Sequence, residues 1–341
     1  MSRFGEEIDE QPRVLERMLE RRASFDAIGA RIRDTQRRGF VIAARGSSDH
    51  AALYAKYLFG TRNRGLVSLA APSLFTHYGR PPRLDGQCVI GISQSGASPD
   101  VIAVIEEAKR QGCLTLAITN DASSQLASAA ELVVPLEAGP ERSVPASKTY
   151  TASLLALALV SGTIDREESF DRAISRVPDS VTAALAKDTE LEPLVEPLLG
   201  PRAIVLGRGF NFSTAEEIAL KLTETSYVLA RAWSVADFEH GPIAVVEPGL
   251  PVVMVEGGGP VTTDLETAAR KLTGLGCKVM QLLDGASGGE HPNVALDSGL
   301  PEELTPITLA VLGQLLAHRV ALARNIDPDR PRALNKVTRT W

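Results

Sequence analysis

Cysteine is scarce in this chain: three in 341 residues, at Cys88, Cys113 and Cys277. The number is odd, the spacing fits neither a zinc site nor a disulfide framework, and each lies in an apolar context. Buried, reduced thiols are therefore expected. Surplus cations are missing too. The formal charge is −6, which argues against a nucleic-acid surface, since neutralising phosphates takes clustered lysine and arginine. No run of five or six like charges marks a polybasic arm or an acidic tail. Long apolar runs are lacking: the longest, Ala152 to Val160, falls far short of the roughly 20 residues that span a bilayer. The N-terminus has no apolar segment of the kind a secretory signal needs. A cytoplasmic protein with neither membrane nor nucleic-acid partners is expected.

What is present is ordinary globular material. Apolar content is 44% and charged content 23%, close to the average for soluble domains, and the length suffices for two cores. Apolar runs bounded by glycine and polar turns alternate with helical patterns, as in parallel sheets flanked by helices. They do so twice, at one offset. Val41-Ile42-Ala43-Ala44-Arg45-Gly46 resembles Ile204-Val205-Leu206-Gly207-Arg208-Gly209, 163 residues on. Val89-Ile90-Gly91-Ile92 stands in the same relation to Val252-Val253-Met254-Val255, and Cys113-Leu114-Thr115-Leu116 to Cys277-Lys278-Val279-Met280 at one residue more. Three strands in one register imply an internal duplication.

The expected organisation is an N-terminal helical segment (1–38), a first domain (39–165), a helical linker (166–200), a second domain (201–324) and a C-terminal tail (325–341). One amphipathic helix is read over Glu7 to Arg22. The charged linker is expected to pack across the two domains. The tail cannot continue a helix, because Pro328 and Pro331 remove donors and clash with the preceding turn.

The clearest local motif is Ile92-Ser93-Gln94-Ser95-Gly96-Ala97-Ser98-Pro99-Asp100. It follows a strand and opens a helix, with Ser98 placed as N-cap and Pro99 at the first helical position. Such loops sit at the carboxyl ends of strands, where open sheets bind ligands. The helix N-terminus offers free N–H groups and partial positive charge to an anion. Arg45-Gly46-Ser47-Ser48 follows an earlier strand in the same way. Spacing alone leaves two readings, a phosphate cradle or a serine-rich turn with a good cap.

Glu217, Lys221 and Glu224 stand at i, i+4 and i+7, one face of a helix beginning near Thr214. Thr214 and Glu217 fit a capping box. A solvated Glu–Lys ladder is one reading of the three. The other is a row of charges lining a cleft, because Ile218-Ala219-Leu220 and Tyr227-Val228-Leu229 are too apolar for an exposed helix. His240, before the Gly241-Pro242 turn, and Lys336, in the tail, are by residue type alone as compatible with structural or solvated roles.

The Ser93-Gln94-Ser95-Gly96 loop resembles that of sugar isomerase (SIS) domains. The duplication resembles the paired SIS domains of the isomerase half of glucosamine-6-phosphate synthase. The likeness covers nearly the whole chain. It runs from Glu7, Gln11 and Pro12 through Ser48, Ser93 to Ser98, Gly139-Pro140-Glu141, Val144, Lys148 and the Glu217–Glu224 helix. It continues over Glu239-His240-Gly241-Pro242 and Pro331-Arg332-Ala333-Leu334-Asn335-Lys336.

The resemblance implies an α/β chain of two tandem SIS domains, flavodoxin-like and related by duplication. It implies that Ser48, Ser93, Gln94, Ser95 and Ser98 hold the sugar phosphate and its hydroxyls, and that Val144, Ala146 and Asn335 meet the substrate. Glu224 is implied as the base that takes the C2 proton and returns it at C1. Lys221 would stabilise developing charge and Glu217 orient Lys221. His240 would open the sugar ring from the other subunit of a homodimer, and Lys336 would form a Schiff base with the ketose phosphate. Two positions depart from the synthase, which has serine where this chain has Ala146 and alanine where it has Asn335. The ending Leu334-Asn335-Lys336-Val337-Thr338 resembles the stand-alone SIS-family glucosamine-6-phosphate deaminases more.

Glutamine-dependent synthesis is not expected, since the chain carries no ammonia-releasing half and has Ser2 where an N-terminal cysteine nucleophile would stand. The expected activity is conversion of glucosamine 6-phosphate to fructose 6-phosphate and ammonia through an enolamine, with neither metal nor cofactor. Aldose–ketose isomerisation, fructosamine-phosphate cleavage, dehydration of an N-acetylated substrate and non-catalytic sugar-phosphate sensing remain as alternatives.

Overall fold

The computed structural model describes residues 2–35, 38–285 and 290–336. Among these, ten strands form two five-stranded sheets. The first holds β1 (Gly39–Ala43), β2 (Leu66–Leu69), β3 (Gln87–Ser93), β4 (Leu114–Thr119) and β5 (Leu132–Pro135), in the order β2-β1-β3-β4-β5. The second holds β6 (Arg202–Gly207), β7 (Leu229–Ser234), β8 (Pro251–Glu256), β9 (Lys278–Asp284) and β10 (Asn293–Leu296), in the order β10-β9-β8-β6-β7. All pairings are parallel. Read from the same end the two orders are one, the flavodoxin-like 2-1-3-4-5. The runs that repeat in the sequence lie on β1 and β6, on β3 and β8, and at the starts of β4 and β9. The duplication is one of topology as well as of sequence.

Strand residues follow their places in the sheets. β4 is buried along its whole length and β3 from Cys88 onward. A parallel strand covered by helices on both faces reads as a continuous apolar run. The outer strands β2 and β7 begin on exposed Leu66 and Leu229. Cys88, Cys113 and Cys277 are buried, and none is in a disulfide.

The chain divides into two compact units, one around each sheet. The first-sheet unit takes residues 13–35, 38–141, 148–175 and 335–336; the second-sheet unit takes 2–12, 142–147, 176–285 and 290–334. In the first, Val89 and Ala117 of the sheet pack with Val101 and Ile105 of the Pro99–Arg110 helix and with Leu126. In the second, Leu206, Val252 and Met254 pack against Phe238, Leu265 and Leu272. Full burial of each of these side chains other than that of Ala117 contributes about 1.5–3 kcal/mol.

Each sheet is followed by a long apolar helix, Lys148–Asp165 and Thr305–Ala323. The segment Glu302–Ala323 is long and apolar enough to cross a membrane, a run the sequence reading passed over in favour of Ala152 to Val160. Here most of it is buried, in part against the Phe212–Ser226 helix and β9, as a core helix requires.

One local expectation is corrected. The single helix expected over Glu7 to Arg22 is three: Arg3–Asp9, Gln11–Glu20 and Arg22–Asp34. Pro12 has no N–H for the Ile8 carbonyl, and the Gln11 side-chain amide donates to that carbonyl instead, at 3.0 Å. The linker segment is helical. Its helices Glu168–Ser175 and Val177–Leu185 bury Phe170 and Ile174, and Val177, Val181 and Ala184.

Candidate functional site

The serine-rich loop sits at the carboxyl end of β3, beside β1, where strand order reverses and α/β sheets open a crevice. Its shape is set by internal hydrogen bonds. The Gly96 N–H donates to Ser93 Oγ at 3.2 Å and the Ala97 N–H to Ser95 Oγ at 3.3 Å. The Gln94 and Gly96 carbonyls accept from Asn120 and Leu126. Gly96 has φ +60°, and a Cβ there would overlap the Ser124 and Thr119 hydroxyls. No other residue allows that approach. Ser93 is buried, while Gln94, Ser95 and Ser98 are half-exposed. Pro99 opens the helix as expected, but Ser98 does not cap it through its side chain. Its hydroxyl pairs with that of Ser93 at 3.2 Å.

The sequence reading missed a charged tie between the two loops. Asp100, fully buried at the helix start, accepts from Arg45 Nε at 2.6 Å. This joins the β1 loop, with half-exposed Ser48 in the first turn of its helix, to the β3 loop. Arg45 and Asp100 are 55 residues apart, so no local pattern shows them as partners.

The Glu217–Lys221–Glu224 row belongs to the second-sheet unit. Lys221 Nζ lies 3.3 Å from Glu217 Oε1 and 2.8 Å from Glu224 Oε2. The side chains of Glu217 and Lys221 are each 1% exposed, and that of Glu224 is 21% exposed. The solvated-ladder reading is therefore excluded. Burial pulls the Lys221 pKa down, but the charges of Glu217 and then Glu224 outweigh it and leave it raised. Lys221 is a fixed cation. The expected capping box is not formed. The helix starts at Phe212, two residues before Thr214, and the Thr214 hydroxyl donates to the Asn211 side chain at 3.0 Å. Glu217 is thus left to face Lys221.

Val144 and Ala146 lie half-exposed in the segment 142–147 of the same unit, and the helix Arg3–Asp9 braces that segment. The buried Glu7 carboxylate accepts from the Arg142 and Ser143 N–H groups and from the Ser143 hydroxyl. Gln11 donates to Gln314 at 2.9 Å, and Gln314 donates to the Ser147 carbonyl at 3.3 Å. The Glu7 and Gln11 motif, known from the sequence only by resemblance, thus supports both ends of this segment. His240 is exposed at the end of the Val235–Glu239 helix.

The tail is not loose where it is described. Asp329 accepts from the Arg3 and Phe4 N–H groups at 2.8 Å, and the Arg332 guanidinium lies 3.9 Å over the Tyr227 ring. Asn335 is exposed, and Lys336 Nζ lies 2.7 Å from Glu141 Oε2. Residues 337–341, the remainder of the expected active-site tail, are outside the described residues.

A family model described as the SIS domain matches residues 35–161 and 200–288, one segment over each sheet. The chain belongs to the SIS family. Glutamine–fructose-6-phosphate aminotransferase (isomerizing) of Thermococcus kodakarensis is 34% identical over 342 residues, covering 97% of this chain and 56% of that protein. The chain thus spans little more than half the length of the curated relatives it matches. A crystal structure from Silicibacter pomeroyi DSS-3, described as a phosphosugar isomerase, superposes with TM-score 0.89 at 31% identity, covering 96% of this chain and all of that one. A structure of glucosamine-6-phosphate deaminase from Thermotoga maritima shares the fold, with TM-score 0.77 and 21% identity over 99% of this chain and all of that one.

The two SIS domains have diverged at the crevice. At the offset of the repeat, Ser93, Ser95 and Ser98 correspond to Glu256, Gly258 and Val261. The hydroxyls are gone. A Cβ added at Gly46 in the first SIS domain would meet nothing within 4 Å, whereas one at its counterpart Gly209 would meet Glu302 Oε1 at 3.2 Å and Val261 at 3.5 Å. Burial, and then the neighbouring charge of Glu303, push the Glu302 carboxyl up to about 7. In the second SIS domain an acid and a valine occupy what the first keeps open and lined with hydroxyls.

Proposed function

We propose that the chain transfers a proton between C1 and C2 of an open-chain amino-sugar phosphate and, with water, converts glucosamine 6-phosphate to fructose 6-phosphate and ammonia. The observation that carries this reading is the buried Glu217–Lys221–Glu224 row, of which Glu224 alone is accessible. A binding protein has no need of a carboxylate held beside a buried, fixed cation, whereas an enolising enzyme does. Glu224 takes the C2 proton and returns it at C1. Lys221 balances charge that develops during the transfer, and Glu217 holds Lys221 in place. The imine at C2 then adds water and releases ammonia, leaving the ketose.

In this reading Ser48, Ser93, Gln94, Ser95 and Ser98 hold the phosphate and nearby hydroxyls, and Val144, Ala146 and Asn335 meet the sugar. Lys336 captures the ketose carbonyl. His240 opens the ring from the partner subunit of a homodimer, a role that its exposed position suits. Sedimentation as a monomer under assay conditions would remove that role. We place the reaction in the cytoplasm, in keeping with three cysteines that form no disulfide.

The test is to incubate glucosamine 6-phosphate with the protein and follow ammonia and ketose phosphate together. One of each per turnover is expected, with EDTA without effect. Turnover of another phosphosugar with no ammonia would sink the deaminase assignment and favour aldose–ketose isomerisation. The description of the Silicibacter pomeroyi structure as a phosphosugar isomerase, at 31% identity, supports that second reading.

The cradle has its own prediction. Ser95 is half-exposed, and its Oγ accepts the Ala97 N–H, so its proton remains to be donated. Ser95→Ala removes a hydrogen bond to a charged oxygen, worth about 1.5–3 kcal/mol. By calorimetry, sugar-phosphate affinity should fall by roughly one to two orders of magnitude at 1.4 kcal/mol per decade, while affinity for the unphosphorylated sugar stays as weak as in the parent. Equal affinity of the parent for sugar and sugar phosphate would overturn the cradle.

A further inference from the structure

We propose that Glu141 is the positioning residue for Lys336 and the group that takes up and returns its proton when the amine meets a carbonyl. This rests on the reading that Lys336 captures the ketose phosphate.

Glu141 lies in the segment just before the Lys148–Asp165 helix, and its side chain is fully buried. A carboxylate in that position is costly unless it is paired and hydrogen-bonded. Glu141 Oε1 accepts the Thr149 N–H at 3.1 Å, in the first turn of the helix, and Oε2 accepts the Thr149 hydroxyl at 2.8 Å. A carboxylate over a helix N-terminus is also favoured by the helix dipole. The chain before it is fixed, because buried Lys148 donates from Nζ to the Pro140 carbonyl at 2.9 Å. Oε2 is thus held on a rigid element, and the tail amine comes to it: Lys336 Nζ at 2.7 Å, with 22% of its side chain exposed. Glu141, Thr149 and Lys336 all belong to the unit that carries the Ser93–Ser98 loop.

Exposed tail lysines rarely gain from a surface ion pair. This pair differs because one partner is anchored and buried, so the amine is located while its outer side stays accessible. The chemistry asks for such a neighbour. An ammonium is not a nucleophile, and in the first step its proton passes to the Glu141 carboxylate. The neutral amine adds to the carbonyl carbon and, after proton transfer from nitrogen to oxygen, gives a carbinolamine. Glu141 then returns the proton to the carbinolamine hydroxyl, which leaves as water as the C=N bond forms. The balance is one ammonium and one carbonyl giving one iminium and one water, with Glu141 restored as a carboxylate beside the new cation.

The experiment is borohydride trapping of fructose 6-phosphate on the full chain, with the initial rate of labelling at Lys336 read by mass spectrometry. Sugar-phosphate affinity and the unfolding midpoint are measured alongside. Glu141→Gln still accepts a hydrogen bond from the amine but is no proton acceptor, so labelling should slow on the order of 10²-fold, with affinity unchanged. Glu141→Asp, with its carboxylate drawn back, should fall between Gln and the parent. It also serves if the Gln variant does not fold. Parental labelling rates in Glu141→Gln, or in a folded Glu141→Asp where Gln fails to fold, would overturn the proposal. A parent not labelled at Lys336 would instead overturn the assignment of Lys336 on which it rests.

Discussion

Glu224→Gln should lower turnover by roughly 10²-fold or more, the range for loss of a general base, with little change in KM. Gln keeps the size of the side chain and an oxygen for the Lys221 ammonium, but it cannot take a proton. Lys221 also keeps Glu217 at 3.3 Å, so the buried cation is not stranded and the helix should hold. Steady-state kinetics on glucosamine 6-phosphate separate the outcomes. A loss shared by kcat and kcat/KM marks an interaction made in the transition state. Exchange of the C2 proton with deuterated water, followed by NMR, should slow in parallel. Retained activity, or a loss confined to KM, would move the base to another residue.

Lys221→Met should cost about 3–5 kcal/mol of folding stability, the usual penalty for breaking a buried pair from one side. The cost lies less in the lost attraction than in what remains: Glu217, 1% exposed, would keep its buried charge with the Lys221 ammonium gone. Glu224 is less affected, because its side chain reaches solvent. The double variant Lys221→Met/Glu217→Gln should therefore recover most of the loss, while activity stays absent. Urea unfolding tests both, as a shift of midpoint at constant slope.

The pH dependence has a definite sign. The Lys221 pKa is raised in the folded state, so its contribution is complete below the unfolded lysine value of about 10.4. It fades only as pH climbs through the higher folded value. The penalty of Lys221→Met should therefore not shrink between about pH 6 and 9, and it should grow wherever Glu217 of the variant gives up a proton. A single variant that loses under about 1 kcal/mol would mean that the row is hydrated after all.

Much of the fold was legible because its signals are local or periodic. Parallel strands covered on both faces read as near-continuous apolar runs, and Val89 to Ile92 shows it directly. The duplication was legible because strands in equivalent places repeat at one spacing. The break at Glu10 carried a local signal in Pro12, but the one at Arg21 carried none, because the apolar stripe runs on across it. The Thr214 capping box had the right residues in the right order, yet the helix begins at Phe212, since boundaries depend on what the preceding turn packs against.

The candidate site divides in the same way. The sequence by itself determined that hydroxyls and a helix start follow β3, and that Glu217, Lys221 and Glu224 share a helix face. Both follow from chain geometry over a few residues. Only the tertiary structure decided that this face is buried and Lys221 a fixed cation, because burial depends on what covers a helix. Pairings between groups far apart in sequence were likewise beyond reach: Arg45 with Asp100, Glu7 with Ser143 and Lys336 with Glu141. Each joins a charge to a partner 55 to 195 residues away, and no periodicity in a chain encodes such a meeting until folding brings the ends together.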